Sequence, residues 1–78
     1  MDIKENAKKL FYENGIYVDL DDKEEKLELD SLSFISLIIS IEEIYSIEVP
    51  IEMMQYEKWA NILLIEENIK TISNNHAM

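Results

Sequence analysis

At 78 residues and about 9.2 kDa the chain makes one small domain with a single modest core, and its 47% hydrophobic content suffices to build that core. One Gly and one Pro exclude a turn-rich β-sandwich or a flexible linker, and the lack of Cys excludes a disulfide framework, a zinc ribbon, an iron–sulfur centre and thiol catalysis. Seven Lys, no Arg and 17 acids set a net charge of −10, of which −7 falls in residues 27–57, where Glu28, Asp30, Glu42, Glu43, Glu48, Glu52 and Glu57 meet no Lys; such a surface repels nucleic acid and anionic membranes and suits partners with basic patches.

Ile3, Ala7, Leu10 and Phe11 fall at i, i+4, i+7 and i+8, one apolar stripe of a first helix expected over residues 2–14. Asp2 and Glu5 have the spacing of a capping box, and Gly15 stands where a helix end wants a left-handed residue. Residues 16–30 then read as a long connection, with Ile16, Val18, Leu20, Leu27 and Leu29 spaced to anchor it on the core. Its acidic run from Asp19 to Glu25 fails as a calcium loop, because the sixth position, which needs Gly for the turn, is Glu24.

A second helix is expected from Asp30-Ser31, with Asp30 as N-cap, and it ends before Ile47-Glu48-Val49-Pro50. Ile35, Ile38, Ile41 and Tyr45 give its core stripe, flanked by Phe34 and Leu37. The opposite side carries Leu32, Ser36, Ile39 and Glu43, more apolar than a solvent face requires. That stripe is either a partner-facing surface or a second packed face in a tight bundle. Residues 51–57 suit a short third helix with Met53, Met54 and Tyr56 as apolar contacts. Asn61 then caps a last helix in which Ile62, Ile65, Ile69 and Ile72 share one side. The expectation is an all-α four-helix bundle over residues 1–73, with 74–78 as a frayed tail. The most apolar stretch, Leu32 to Ile41, is short and broken by Ser33, Ser36 and Ser40, and the N-terminus is polar. A cytoplasmic monomer with no membrane insertion is therefore expected.

Catalytic constellations fail in turn. The single His76 lies in the expected tail, Glu42 and Glu43 point to different sides of a helix, and one Gly cannot make a phosphate loop. Ser31 stands out instead: Asp30-Ser31-Leu32 puts a hydroxyl at a helix start after a long loop. A phosphate attached there would lie near first-turn N–H groups and the positive helix end. Nothing nearby activates Ser31, so an outside enzyme would have to do so; the alternative is that Ser31 only caps the helix.

Around this serine the chain resembles the acyl carrier protein family, which includes peptidyl and D-alanyl carrier proteins. The resemblance rests on Leu27-Glu28-Leu29-Asp30-Ser31-Leu32 before an apolar helix and on the run from Ile41 to Pro50 after it. The 19 residues from Ser31 to Pro50 match the family's spacing. Length, helix order and acidity fit over nearly the whole chain.

The resemblance implies a bundle of acyl-carrier type, with a long loop after the first helix and a short third helix. It also implies that Ser31 receives a 4′-phosphopantetheine arm from coenzyme A, attached by a separate Mg²⁺-dependent phosphopantetheinyl transferase. The arm's thiol would hold a thioester cargo, supplying the thiol the chain lacks. Asp30 and Leu32 would flank this cofactor site. Leu32, Ser36, Ile39 and Glu43, beside Asp30 and Ser33, would meet partner enzymes: an adenylation enzyme, an acyl ligase or a synthase. Glu28 stands where the family often has Gly. Ser33 and Ser36 stand where fatty-acid carriers usually bear acids, which resembles carriers served by amino-acid-activating enzymes. Trp59, nine residues after Pro50, is similar to D-alanyl carriers of cell-wall teichoic acid modification. A cofactor-free acidic helical adaptor is the reading from another class.

Overall fold

The computed structural model describes residues 3–76, apart from the side chains of residues 75 and 76. The described residues hold helices and connecting segments without a β-strand, so the all-α class holds. Among the described residues three segments are α-helical: α1 (Ala7–Leu10), α2 (Ser31–Tyr45) and α3 (Ile62–His76).

The first helical run is less regular than its apolar stripe suggested. A 3₁₀ turn at Ile3–Asn6 leads into the single α-helical turn of α1, and a second 3₁₀ turn covers Tyr12–Asn14. The stripe still works, because Ile3, Ala7, Leu10 and Phe11 are all buried. Gly15 takes the left-handed conformation, φ 74°, and its N–H closes on the Tyr12 carbonyl, as the sequence predicts for a C-terminal stop. The expected Asp2 half of a capping box lies outside the described residues. Asn14 and Asn6 pin this run to α2: the Asn14 amide donates to Ser40 Oγ at 3.0 Å, and the Asn6 amide donates to the Tyr45 hydroxyl at 3.2 Å.

Residues 16–30 form the expected connection. Ile16 and Leu27 are buried, while Val18, Leu20 and Leu29 pack against the core. Its backbone is tied to the start of α3: Leu27 N–H donates to the Ala60 carbonyl at 2.7 Å, and Leu63 N–H donates to the Lys23 carbonyl at 3.1 Å. A loop carbonyl thereby satisfies an N–H that the first turn of α3 could not pair internally. Asn61 Oδ1 accepts from Leu64 N–H at 2.8 Å, which makes Asn61 the side-chain cap predicted for that helix.

The short third helix of the expected four-helix bundle is replaced by two 3₁₀ turns, Ile51–Met53 and Tyr56–Trp59. Pro50 sets the extended entry, and the chain never makes enough consecutive i→i−4 bonds for an α-helix. The second turn delivers Trp59 into the core, where its indole N–H donates to the Met53 carbonyl at 2.7 Å. Ile62, Ile65, Ile69 and Ile72 of α3 are buried, as their spacing predicts. The helical backbone continues to His76, three residues into the segment expected to fray; the His76 side chain, Ala77 and Met78 lie outside the described residues. Among the described residues no helix is long and apolar enough to cross a membrane.

Candidate functional site

Ser31 is the first residue of α2 and is exposed. Asp30 before it has extended backbone, φ −82° and ψ 176°, and its Oδ1 accepts from Ser33 N–H at 2.7 Å. That geometry is an aspartate N-cap, satisfying one of the N–H groups that a helix start leaves unpaired. The same contacts govern its ionisation. The Ser33 N–H, followed by the Ser33 hydroxyl, holds the Asp30 carboxyl below the usual aspartate range; slight desolvation opposes this and the Leu32 N–H reinforces it. Asp30 is thus an anion turned onto the helix start, and the hydroxyl of the next residue is left to solvent.

The face of α2 that continues from Ser31 is apolar and uncovered. Leu32 is 75% exposed and Ile39 49% exposed, with Ser36 half-buried and Glu43 exposed beside them. The reading of this stripe as a second packed face does not hold, since Leu32 and Ile39 are left uncovered. Ile35 corrects the expected core stripe: it is 48% exposed and belongs with Leu32 and Ile39, whereas Leu37, Ile38 and Ile41 form the buried side. On a helix of 3.6 residues per turn Ile35 lies about 40° from Ile39 and about 60° from Ile38. Ile38 is buried and Ile35 is not, so the buried boundary of α2 falls between them.

The other end of α2 is closed by Glu42. Ser46 takes the left-handed conformation, φ 54°, and its N–H, with that of Ile47, returns to the Glu42 carbonyl. The Glu42 carboxylate accepts from Val49 N–H at 2.9 Å. Glu42 is therefore occupied in shaping the turn before Pro50, and only Glu43 of the two neighbouring acids faces the exposed stripe.

Beside the start of α2 lies an open groove lined by Lys26, Leu27, Glu28, Leu29, Asp30 and Tyr56. Its Tyr56 wall is fixed on three sides. The phenol O–H donates to the Leu27 carbonyl, Phe34 meets the ring edge-on at 6.5 Å between centroids, and the Lys26 ammonium stands 5.9 Å from the ring centre. Lys26 and Tyr56 stand 30 positions apart, so the sequence alone does not join them at one site. The one available signal was that Lys26 is the last cation before the Lys-free stretch 27–57.

Asp30, Ser31 and Leu32 thus meet at one helix start, and Ser36, Ile39 and Glu43 extend from it along one side of α2. Among the described residues no group of three or more His, Asp or Glu side chains is arranged to hold a metal ion. No protein-family model matches the chain, and neither a curated protein nor a solved structure does.

Proposed function

We propose that this protein is an acyl or aminoacyl carrier: Ser31 takes a 4′-phosphopantetheine arm from coenzyme A, and the loaded arm presents a thioester to partner enzymes. The observation that carries the reading is the exposed hydroxyl of Ser31 on the first turn of α2, preceded by a capping aspartate and followed by an uncovered apolar helix face. The resemblance of Leu27 to Leu32 and of Ile41 to Pro50 to carrier proteins points the same way.

The residues fit the group. No side chain closes over Ser31, so a transferase can reach it, and an arm attached there is free to swing. Ser31 supplies the oxygen of the new phosphodiester; the pyrophosphate bond of coenzyme A breaks, adenosine bisphosphate leaves, and the Oγ proton passes to a base on the transferase. Asp30 holds the helix start in place and keeps a negative charge beside the serine, where a Mg²⁺ brought by the transferase would be attracted. When bound, the arm supplies the thiol chemistry that a Cys-free chain lacks. Leu32, Ile35 and Ile39 are the apolar contact for partners, with Ser36 and Glu43 as its polar margin. The scarcity of acid on this face favours an amino-acid-activating ligase over a fatty-acid synthase as the loading partner.

Incubation with coenzyme A and a permissive phosphopantetheinyl transferase, followed by intact mass, tests the reading. A gain of one phosphopantetheinyl group on Ser31, absent from Ser31→Ala, is expected. No gain in the native protein removes the carrier reading and leaves an acidic helical adaptor. Offering the loaded protein to amino-acid and fatty-acid ligases in parallel identifies the cargo class.

A further inference from the structure

We infer that Tyr56 is the residue that positions Ser31: it grips the chain on both sides of the helix start and so fixes where the hydroxyl is presented. The inference rests on the carrier reading and adds to it a positioning residue from outside the Asp30-Ser31-Leu32 run.

The core does not reach Ser31. Leu27 and Leu37 are buried, and between them every described residue is exposed or half-buried. The Asp30 cap closes the first turn of α2 on the Ser33 N–H, so it shapes that turn without tying it to another segment. Helix ends held only by their own hydrogen bonds fray. The direction of this helix start therefore has to come from contacts with the rest of the fold.

Tyr56 supplies such a contact on each side. Its O–H donates to the carbonyl of Leu27, four residues before Ser31, and its ring meets that of Phe34, three residues after Ser31, edge-on at 6.5 Å between centroids. Residues three apart on a helix are surface neighbours, so the Phe34 contact acts within one turn of the serine. Leu27 is also held through its other backbone group, because its N–H donates to the Ala60 carbonyl at 2.7 Å. Tyr56 itself stands on a firm base. It opens the 3₁₀ turn that ends in Trp59, which is fully buried and donates through its indole N–H to the Met53 carbonyl. The Lys26 ammonium, 5.9 Å from the ring centre, adds a further contact to the ring. A hydroxyl held in one direction needs no ordering when it enters the transferase site, and that saving acts on the rate of loading.

Two variants each remove one contact and keep the other: Tyr56→Phe deletes the O–H, and Phe34→Leu deletes the ring pair. They are compared with the native protein and with Ile72→Val, a core change in α3. The readouts are the ¹H–¹⁵N nuclear Overhauser effect of each amide and the kinetics of loading by a phosphopantetheinyl transferase, followed by intact mass. In both variants the effect at residues 28–33 should fall toward that of a mobile backbone, while the α3 amides keep their values. The kcat/KM for the carrier should drop about 2- to 10-fold, the worth of one hydrogen bond or ring pair, with the KM for coenzyme A unchanged. Ile72→Val should lower the melting midpoint and leave both readouts at native values. Native values in both Tyr56→Phe and Phe34→Leu, or an equal fall in Ile72→Val, overturn the positioning role and leave the carrier reading standing. A native protein that gains no mass overturns the carrier reading and the role of Tyr56 with it.

Discussion

Ser31 and Asp30 divide the work at one helix start, and substitution separates their roles. Ser31 is exposed at the first helical position, where the N–H has no partner within the helix in any case. Ser31→Ala should keep the far-UV circular dichroism and shift stability by no more than about 0.5 kcal/mol, the usual range for a surface change. It should also abolish loading by mass. Asp30 behaves in the opposite way. Asp30→Ala removes the oxygen that accepts from Ser33 N–H and should lower the thermal midpoint by a few degrees, while Asp30→Asn keeps an oxygen cap and should lose less. The folded carboxyl is held below its unfolded range, so its contribution is present above that range. It is lost as pH falls through the ordinary aspartate range toward the lower folded value. A pH series of melting curves checks the sign: the gap between native protein and Asp30→Ala should be full at neutral pH and close at strongly acid pH.

Along α2, burial and exposure change over a single residue step, and on the carrier reading the exposed side is where partner binding should be altered without harming the fold. Ile39→Glu or Ile35→Glu should leave the urea midpoint near that of the native protein and weaken binding to the loading enzyme, read as a rise in Kd. Ile38→Ala or Ile41→Ala should instead cost about 2–5 kcal/mol by leaving a cavity in the core. If Ile35→Glu unfolds the protein, Ile35 belongs to the core after all. This helix shows how much was legible beforehand. The caps at Asp30 and Asn61 and the four isoleucines of α3 depend on neighbours within one or two turns, so residue type and spacing predict them. Ile35 has apolar neighbours at i−3, i+3 and i+4 (Leu32, Ile38 and Ile39), and only the position of the other segments decides which side claims it. The two 3₁₀ turns after Pro50 have the same origin: seven residues of mixed apolar pattern fit a short helix, and the Met53 carbonyl given over to the Trp59 indole is a contact that no periodicity reveals. At the candidate site, Ser31 and its cap were readable for the same local reason, whereas the groove joins Lys26 to Tyr56 across the fold.

Over the whole molecule, the charge of −10 and the tethering of the long loop act at different ranges. On the carrier reading, the field of the Lys-free stretch would steer a basic partner from beyond contact distance, so the association rate should fall steeply with added salt while the dissociation rate, set by the apolar face, should stay nearly constant. The loop that precedes Ser31 is held by a buried acid. Glu66 of α3 is only 7% exposed; its Oε1 and Oε2 accept from Lys23 Nζ at 3.0 and 3.1 Å, and Oε2 also accepts from Ile3 N–H at 3.3 Å. One side chain thus joins the start of the chain, the loop and α3. Lys23 is partly solvated and can return to water if the acid is removed, but the Ile3 N–H is left inside without an acceptor. Glu66→Ala should therefore cost about 1–3 kcal/mol, chiefly for that stranded donor. Glu66→Gln keeps an acceptor oxygen while losing the ion pair, so it should cost less. Because the loop's other ties to the α3 region are hydrogen bonds at its edge, such as Leu27 N–H to the Ala60 carbonyl and Leu63 N–H to the Lys23 carbonyl, the loss should be local before it is global. In hydrogen exchange, the amides of Leu27 and Leu63, which bridge loop and helix, should lose protection in Glu66→Ala well before those at the centre of α2. Equal loss at both places would mean that Glu66 supports the bundle as a whole and that the loop before Ser31 has no opening of its own.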